Sequence, residues 1–481
     1  MTSLDNQPEL ADVGRLARKL VGRAVRTARQ EDQPLRRALL DHLGPDAARL
    51  PTVSDSCPLY DQVNLQVGVN AWLAASPDRT HEVVGIAGVR MLRHDDVTIA
   101  DIIQSGPDSA FGRAGISAPV TTNLPSGPDG QTQACVSNGL YLVRDGDDRL
   151  VVILLPVQIG IRAQVNLKVV GPDPRTVEQV MAEIWRLARE HSVFRGQIIT
   201  FGPEVLGPGS DTTPLNFLPR PRVTRDQVVL PESVLEEIER QVVGVARHSG
   251  RLLASGLHLK RGVLLYGAPG TGKTHTVSYL LGLLPDVTVV VISGRALSRI
   301  REACSVARSL SPAVVVVEDV DLIAEDRTAR PGQQPLLFQL FNEMEGLNSA
   351  SDVTFLLTTN RADLLEPALA ARPGRVDLAA ELPLPDADAR RALIRLYQAD
   401  LVLDGVDLDA VIERTEGVTA PFLKELLRRA ALLAADDDAA DDGGVGAIRI
   451  TDTQVRAALD ELLAARGQLT RVLLGGGAAA G

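Results

Sequence analysis

The sequence predicts an α/β protein: a doubly wound parallel sheet followed by a helical segment, with a second, separate α/β domain ahead of it. Three observations point there. Between residue 223 and about 385, apolar runs of strand length alternate with helical stretches, the order that builds a parallel sheet. One of these runs, Ala313-Val314-Val315-Val316-Val317, has four valines in succession and suits a strand buried on both faces. Residues 202–222 hold five prolines and three glycines, a density that marks a linker and sets the preceding residues apart. At 481 residues the chain also exceeds what one hydrophobic core supports.

Residues 1–50 read as a helical segment. Over 8–30, Leu10, Val13, Ala17, Leu20, Val21, Ala24 and Val25 keep the three-to-four spacing of an apolar stripe. Arg15, Arg18, Lys19, Arg23, Arg26 and Arg29 populate the remaining surface. Such a basic amphipathic helix suits an anionic membrane, a nucleic acid or an acidic partner, or simply a solvated face above a docking stripe.

Residues 51–202 read as the N-terminal α/β domain. Val63, Leu65, Val67, Val69 and Ala71 alternate with other residues as in a half-buried strand. The runs 140–143 and 150–155 flank a polar turn and predict a hairpin. Val165, Leu167 and Val169 predict another strand. A helix follows with Val177, Val180, Met181, Ile184, Leu187 and Ala188 on one face, then a strand near 197–201. Residues 104–134, rich in Gly, Pro, Ser, Thr and Asp, read as a long loop. His81-Glu82 opens a string like HExxH, but position 85 is glycine, so the second zinc ligand is missing. This domain shows no catalytic constellation. After the linker, 203–222, come the sheet core, 223–386, and a helical segment, 387–470, interrupted by an acidic loop at 436–444. The small-residue tail, 471–481, is expected to be disordered.

Composition narrows the function. A net charge of −11 argues against a general nucleic-acid binder, which needs a basic surface. Five lysines stand against 45 arginines, so each lysine is easier to weigh. Cys57, Cys135 and Cys304 lie far apart with no CxxC pair, which excludes a disulfide framework and fits a reducing compartment. The N-terminus is polar and acidic, unlike a signal peptide, and the longest apolar runs, 150–155 and 287–292, have strand length. A cytoplasmic protein without a membrane span is expected.

The chemistry concentrates in one stretch. Val263-Leu264-Leu265-Tyr266 is a short apolar strand, followed by Gly267-Ala268-Pro269-Gly270-Thr271-Gly272-Lys273-Thr274 and then a helical run. This is the phosphate-binding pattern GxxxxGK[ST] in its required context. Glycines let successive backbone N–H groups turn inward onto a β-phosphate, and the helix N-terminus adds a favourable dipole. Lys273 is expected to reach the β- and γ-phosphates of ATP, and the Thr274 hydroxyl to ligate Mg²⁺. The site also needs a carboxylate at the end of a neighbouring buried strand. The valine run supplies it with Glu318-Asp319-Val320-Asp321, 45 residues after Lys273. A third element is a polar residue that orients the attacking water. Thr354-Phe355-Leu356-Leu357-Thr358-Thr359-Asn360 ends in a suitable one, Asn360.

With these motifs in order, residues 225 to about 430 resemble the AAA ATPases. Leu336-Leu337-Phe338-Gln339-Leu340-Phe341-Asn342-Glu343-Met344-Glu345-Gly346-Leu347 is similar to the family's helix after the acidic strand. Pro367-Ala368-Leu369-Ala370-Ala371-Arg372-Pro373-Gly374-Arg375-Val376-Asp377 is similar to its second region of homology. The resemblance implies that Arg372 and Arg375 are arginine fingers reaching the γ-phosphate of the adjacent subunit, hence a ring of like chains, most often a hexamer. It also implies that residues after 387 form a lid over the nucleotide. By position Glu318 serves Mg²⁺ and Asp319 polarises the water. The family's usual acid order is Asp then Glu; the Glu-Asp order here resembles the mitochondrial AAA translocase type that moves a folded Rieske protein. Two further departures stand out. No aromatic lies between Tyr279 and Phe338, where threading motors carry a pore aromatic. The string Gly417-Val418-Thr419-Ala420-Pro421-Phe422-Leu423 keeps the family's first glycine but not its Gly-Ala-Asp.

These readings predict an ATP-hydrolysing ring that remodels or moves a protein partner recognised by residues 1–202. One alternative is a nucleotide-gated switch or scaffold with little turnover. The other is a nucleic-acid motor or loader, suggested only by the basic helix and opposed by the acidic charge.

Overall fold

The computed structural model describes residues 33–87, 98–104, 115–159, 162–201, 215–322, 336–346, 352–365, 375–438 and 447–464. The basic helix expected over 8–30, most of the linker, Arg372 and the C-terminal tail lie outside the described residues. Two units divide at Val193 and Phe194.

In the N-terminal unit the strands are β1 (Thr52–Pro58), β2 (Arg79–Ala87), β3 (Gly115–Ser117), β4 (Val120–Pro125), β5 (Thr132–Asp145), β6 (Asp148–Ile159) and β7 (Arg162–Val170). They form one sheet in the order β1-β7-β6-β5-β2-β3, with β4 also on β5, and its pairings are antiparallel. The expected hairpin is β5–β6, closed at Asp145↔Asp148 with Gly146 at φ 59° in its turn. The helices are α1 (Pro34–Leu43), α2 (Gln62–Ala74), α3 (Ile99–Gln104) and α4 (Pro174–Glu190). The alternation inside β7 explains the layers. Val165, Leu167 and Val169 face a core with α2 and α4, while Val170 joins α1 and α3 on the opposite side. α4 starts where expected, capped by Asp173, whose carboxylate accepts the Thr176 N–H.

Two expectations for this unit change. The valine alternation at 63–71 predicts a strand, and the structure makes it the helix α2. Leu65, Val69, Trp72 and Leu73 form a stripe against α4, and Gly68 allows the close approach, since a Cβ there would lie 2.6 Å from the Ile184 carbonyl oxygen. Its buried amides serve the sheet. Gln62 Nε2 donates to Val136 O at 3.0 Å, and Val136 N–H donates to Gln66 Oε1 at 2.8 Å. These bonds satisfy the backbone where β5 shifts register against β4. Tertiary partners decide the element here. The stretch 104–134, read as loop, contributes β3 and β4.

The C-terminal unit holds β8 (Ile198–Phe201), β9 (Leu215–Leu218), α5 (Glu232–Glu239), α6 (Val245–Ala254), β10 (Arg261–Tyr266), α7 (Lys273–Gly282), β11 (Thr288–Ile292), α8 (Ile300–Ser309), β12 (Ala313–Val317), α9 (Leu336–Glu345), β13 (Val353–Thr359) and β14 (Leu378–Glu381). Its sheet runs β14-β10-β13-β12-β11-β8-β9, and β14 through β8 pair in parallel. Leu235, Val277 and Leu280 pack on Val263, Leu265, Val289, Val314 and Val316. The alternate residues Leu264, Val290, Val315, Val317 and Phe355 are buried too, so the sheet is covered on both faces.

The strand near 197–201, assigned by sequence to the N-terminal domain, is β8 and pairs with β11. Its run Ile198-Ile199-Thr200-Phe201 has no alternation, as suits a parallel strand covered on both sides. β9 and Arg220 occupy the segment read as linker. The Arg220 guanidinium donates to the carbonyls of Gly196, Leu281, Leu284 and Val287 at 2.8 to 3.1 Å.

Beyond the sheet come α10 (Ala387–Gln398), β15 (Val402–Asp404), α11 (Leu408–Arg414), α12 (Ala420–Asp438), β16 (Arg449–Thr451) and α13 (Asp452–Leu463). They enclose a core of their own around Phe422, Leu426, Ile450 and Leu459.

Candidate nucleotide site

β10, β13 and β12 lie side by side in the sheet, so their C-terminal tips converge, which is where doubly wound sheets bind ligands. Those tips carry the glycine loop, Asn360 and the acids.

The loop after β10 depends on glycine at two places. Gly267 has φ 148°, and a Cβ there would meet the Leu382 carbonyl oxygen at 2.3 Å. Gly270 has φ 81°, and a Cβ there would come within 2.9 Å of Thr419 Oγ1 and 3.2 Å of Pro421 Cδ. The tip of the loop therefore touches the segment that leads into α12.

Lys273 opens α7 with its side chain buried. Its Nζ donates to the carbonyls of Gly267 and Ala268, each at 2.9 Å. Burial lowers its pKa from the usual lysine range, against the charges of Asp319 and Asp321, which favour the ammonium. Beside it, the Thr274 side chain lies near the Glu318 carboxylate. Burial raises the pKa of Glu318, the nearby Thr274 hydroxyl opposes that shift, and the Asp319 charge adds to it.

Asp319 sits in the left-handed region, φ 52°. Asp and Asn tolerate that backbone better than other residues with a side chain. Its N–H donates to Thr358 Oγ1 at 3.2 Å, and its Oδ1 accepts from Asn360 Nδ2 at 3.3 Å. Val320 N–H donates to Thr358 O at 2.9 Å. Asp321 Oδ1 accepts from Thr359 Oγ1 at 2.8 Å and from the Asn360 N–H at 3.2 Å. The tips of β12 and β13 are thus laced together.

A cleft of about 1070 Å³ opens beside these groups. Residues 269–276, Asp319, Thr358 and Asn360 line its polar end. Val228, Val229 and Leu230 line the other end, facing Leu396, Tyr397, Pro421 and Lys424 from α10 and α12. Its two ends suit a phosphate chain and a flat apolar ring. Lys424 Nζ lies 5.8 Å from the Tyr397 ring centroid. Sequence reasoning missed this apolar end. Its one local signal is the run Val228-Val229-Leu230 before Pro231, too short to register as an element.

Lys273, Thr274, Glu318, Asp319 and Asn360 therefore meet at one place, together with the loop Gly267, Ala268, Pro269, Gly270, Thr271 and Gly272. Arg375 does not line this cleft. Its side chain is 7 % exposed, pairs with Glu345 of α9 and stands over the Phe341 ring at 5.6 Å.

Residues 263–384 match the family model described as ATPase family associated with various cellular activities, AAA. The chain is 33 % identical over 266 residues to the ATP-dependent zinc metalloprotease FtsH 3 of Sphaerobacter thermophilus, covering 53 % of this chain and 52 % of that protein. It is 31 % identical over 245 residues to the proteasome-activating nucleotidase of Pyrococcus horikoshii, covering 48 % and 61 %. With the 26S proteasome regulatory subunit 8 homolog of Schizosaccharomyces pombe it shares 29 % identity over 227 residues, covering 44 % and 56 %. The chain thus spans between about half and three fifths of the length of these relatives. Glycine loop, acidic strand tip, Asn360 and family match coincide within one sheet, so residues 263–384 are an AAA-type ATPase domain.

Proposed function

We propose that the chain binds ATP with Mg²⁺ in this cleft and hydrolyses it within a ring of identical subunits, coupling turnover to the remodelling or translocation of a protein partner. The observation that carries the reading is the meeting of three roles at adjacent strand tips: Lys273 at the loop, Glu318 beside Thr274, and Asp319 on Asn360.

The donor set fits Mg²⁺. Thr274 and Glu318 offer hard oxygen ligands held against each other, which is what a small divalent cation requires. Thr274 and Glu318 would hold the ion, which would supply charge neutralisation for the transferring phosphate. The chain's own residues do the rest. Loop N–H groups and the Lys273 ammonium cradle the phosphates. Asn360 orients the water, and Asp319 accepts its proton. The apolar end of the cleft holds the base between Val228–Leu230 and Tyr397. Arg372 and Arg375 act on the phosphate of a neighbouring subunit, where an added guanidinium stabilises charge in the transition state. That role asks Arg375 to exchange Glu345 for the neighbour. The N-terminal unit, rich in β-structure, is the partner-recognition surface.

Two relatives are named for ATP dependence and nucleotidase activity, which supports turnover. Proteolysis is not carried over. His81-Glu82 stands on strand β2 and lacks a second histidine at position 85, so no helical pair of zinc ligands forms there. No helix among the described residues is long and apolar enough to cross a membrane.

The second reading, a nucleotide-gated switch, is favoured by the shorter Asp at the water-polarising position and by Arg375 being paired within its own chain. Steady-state ATP hydrolysis by the unmodified protein and by Lys273→Ala, across protein concentrations, separates the two. Turnover that is lost in the variant, with specific activity rising with protein concentration, supports a ring ATPase with shared sites. Nucleotide binding without turnover above the variant's background supports the switch.

A further inference from the structure

The third acid after β12, Asp321, has no place in the phosphate, metal or water roles assigned above. It is nonetheless 8 % exposed and aimed at the tip of β13. A buried carboxylate is costly unless its hydrogen bonds are made and useful. Here both partners belong to the strand end that carries Asn360: the Thr359 hydroxyl and the Asn360 N–H, bound to the same oxygen at 2.8 and 3.2 Å. Thr359 Oγ1 in turn accepts the Arg361 N–H at 3.0 Å, so the hydroxyl's rotation is fixed from both sides.

We propose that Asp321 is a positioning residue for hydrolysis: by holding Thr359 and the Asn360 backbone it keeps Asn360 Nδ2 on the Asp319 carboxylate. This rests on the ATPase reading and deepens it. The need for such a holder follows from Asp319 itself, whose left-handed backbone leaves its carboxylate dependent on neighbours for direction. The contact to be held, 3.3 Å between Asn360 Nδ2 and Asp319 Oδ1, is long enough that a small shift of the β13 tip breaks it.

Asp321 also bears charge near Lys273, so a competing role is electrostatic support of phosphate binding. The two roles differ in what they move. Loss of positioning lowers kcat and leaves nucleotide affinity in place; loss of charge support weakens affinity.

The experiment measures kcat and ATP affinity for the unmodified protein, Lys273→Ala, Asp321→Ala, Asp321→Asn, Asn360→Ala and the Asp321→Ala/Asn360→Ala pair. Asp321→Ala is expected to lower kcat by about one to two orders of magnitude, the worth of a charged hydrogen bond, with ATP affinity unchanged. Asp321→Asn keeps an acceptor oxygen and recovers most of that loss. In the pair, kcat falls no further than in Asn360→Ala alone, because both changes remove one device. Should Asp321→Ala not fold, Thr359→Val deletes the same bond from the other side and must show the same dependence on Asn360. Losses that multiply in the pair, or affinity that falls in step with kcat, overturn the inference. An unmodified protein without turnover sinks the ATPase reading and this inference together. Normal kcat in Asp321→Ala sinks this inference alone.

Discussion

Replacing Asp319 by Glu is the sharpest test of why the acids stand in the order Glu-Asp. The substitution lengthens the carboxylate arm by one methylene, about 1.5 Å. If reach limits turnover, the longer acid accelerates it. The backbone argues the opposite. At φ 52° a residue with a Cβ costs roughly 1–2 kcal/mol, and Asp recovers part of that by local hydrogen bonding that Glu makes poorly. Taking the difference as about 1 kcal/mol gives roughly a fivefold loss if the strain is relieved by leaving the reactive geometry. The added methylene also has to fit beside Asn360 Nδ2, already 3.3 Å from the present carboxylate, and a displacement of about 1 Å at a reacting group costs up to about 100-fold. Asp319→Glu is therefore expected to lower kcat by about 10- to 100-fold. Nucleotide affinity stays, because Lys273, the loop and Glu318 are untouched. Thermal stability falls with the strain, by roughly 2–4 °C per kcal/mol in a unit of this size. Asp319→Asn is the control: it keeps the size and the tolerance of a left-handed backbone and deletes the proton acceptor. It should lose about 100-fold or more in kcat with no change in melting temperature. The assay is coupled ATPase at saturating Mg·ATP beside fluorescent-nucleotide titration. An Asp319→Glu protein as fast as the unmodified one, with unchanged affinity, refutes the backbone argument.

Three further outcomes are expected. Gly270→Ala strains a φ of 81° and pushes on Thr419 and Pro421, so nucleotide affinity should fall about 5- to 30-fold, for 1–2 kcal/mol of strain, as titration will read. Gly68→Ala drives a methyl into the Ile184 carbonyl and should cost the N-terminal unit about 1–3 kcal/mol, seen in calorimetry as an earlier transition that ATP does not shift. Burial holds the Asp61 carboxyl up at about 6, against the bond from Asn64, so the folded unit binds that proton more tightly than the unfolded chain does. Its stability contribution is lost as pH rises from about 4, the unfolded value, through about 6. Asp61→Asn should accordingly raise the N-terminal transition at pH 8 and leave it unchanged at pH 4, where thermal melts that move equally at both values would contradict the assignment.

What could be read from sequence follows from how local the cause is. The glycine loop was legible because its eight residues and both flanks are contiguous, and the chemistry of phosphate binding fixes Gly267, Gly272, Lys273 and Thr274 among them. Glu318 and Asn360 were legible because each ends an apolar run, and a parallel sheet brings such ends together. α2 was not. Its valines satisfy a period of two by coincidence, and what makes it a helix is distant: α4 across Gly68, and a backbone irregularity in β5 that Gln62 and Gln66 satisfy. β8 is legible as a strand but not as part of the C-terminal unit, since a short run with no alternation does not name its neighbour. The pairing of Arg375 with Glu345 joins residues 30 positions apart and left no trace in either segment. The apolar end of the cleft is assembled from three separate stretches, so no window along the chain contains it.

The placement of β8 and Arg220 has a practical reach beyond the fold. A fragment meant to isolate the ATPase would naturally be cut at residue 223, after the prolines. That cut removes β8 from β11, whose outer row of N–H and C=O groups is then bare, and it strips the guanidinium from the carbonyls of Leu281, Leu284 and Val287 around the end of α7. An uncovered apolar strand edge invites pairing with another molecule. Recombinant material starting at 223 should precipitate or swap strands, while material starting just before Phe194 brings its own border and should stay dispersed. Limited digestion, mutational scans by truncation and any transplant of this domain into another chain inherit the same boundary.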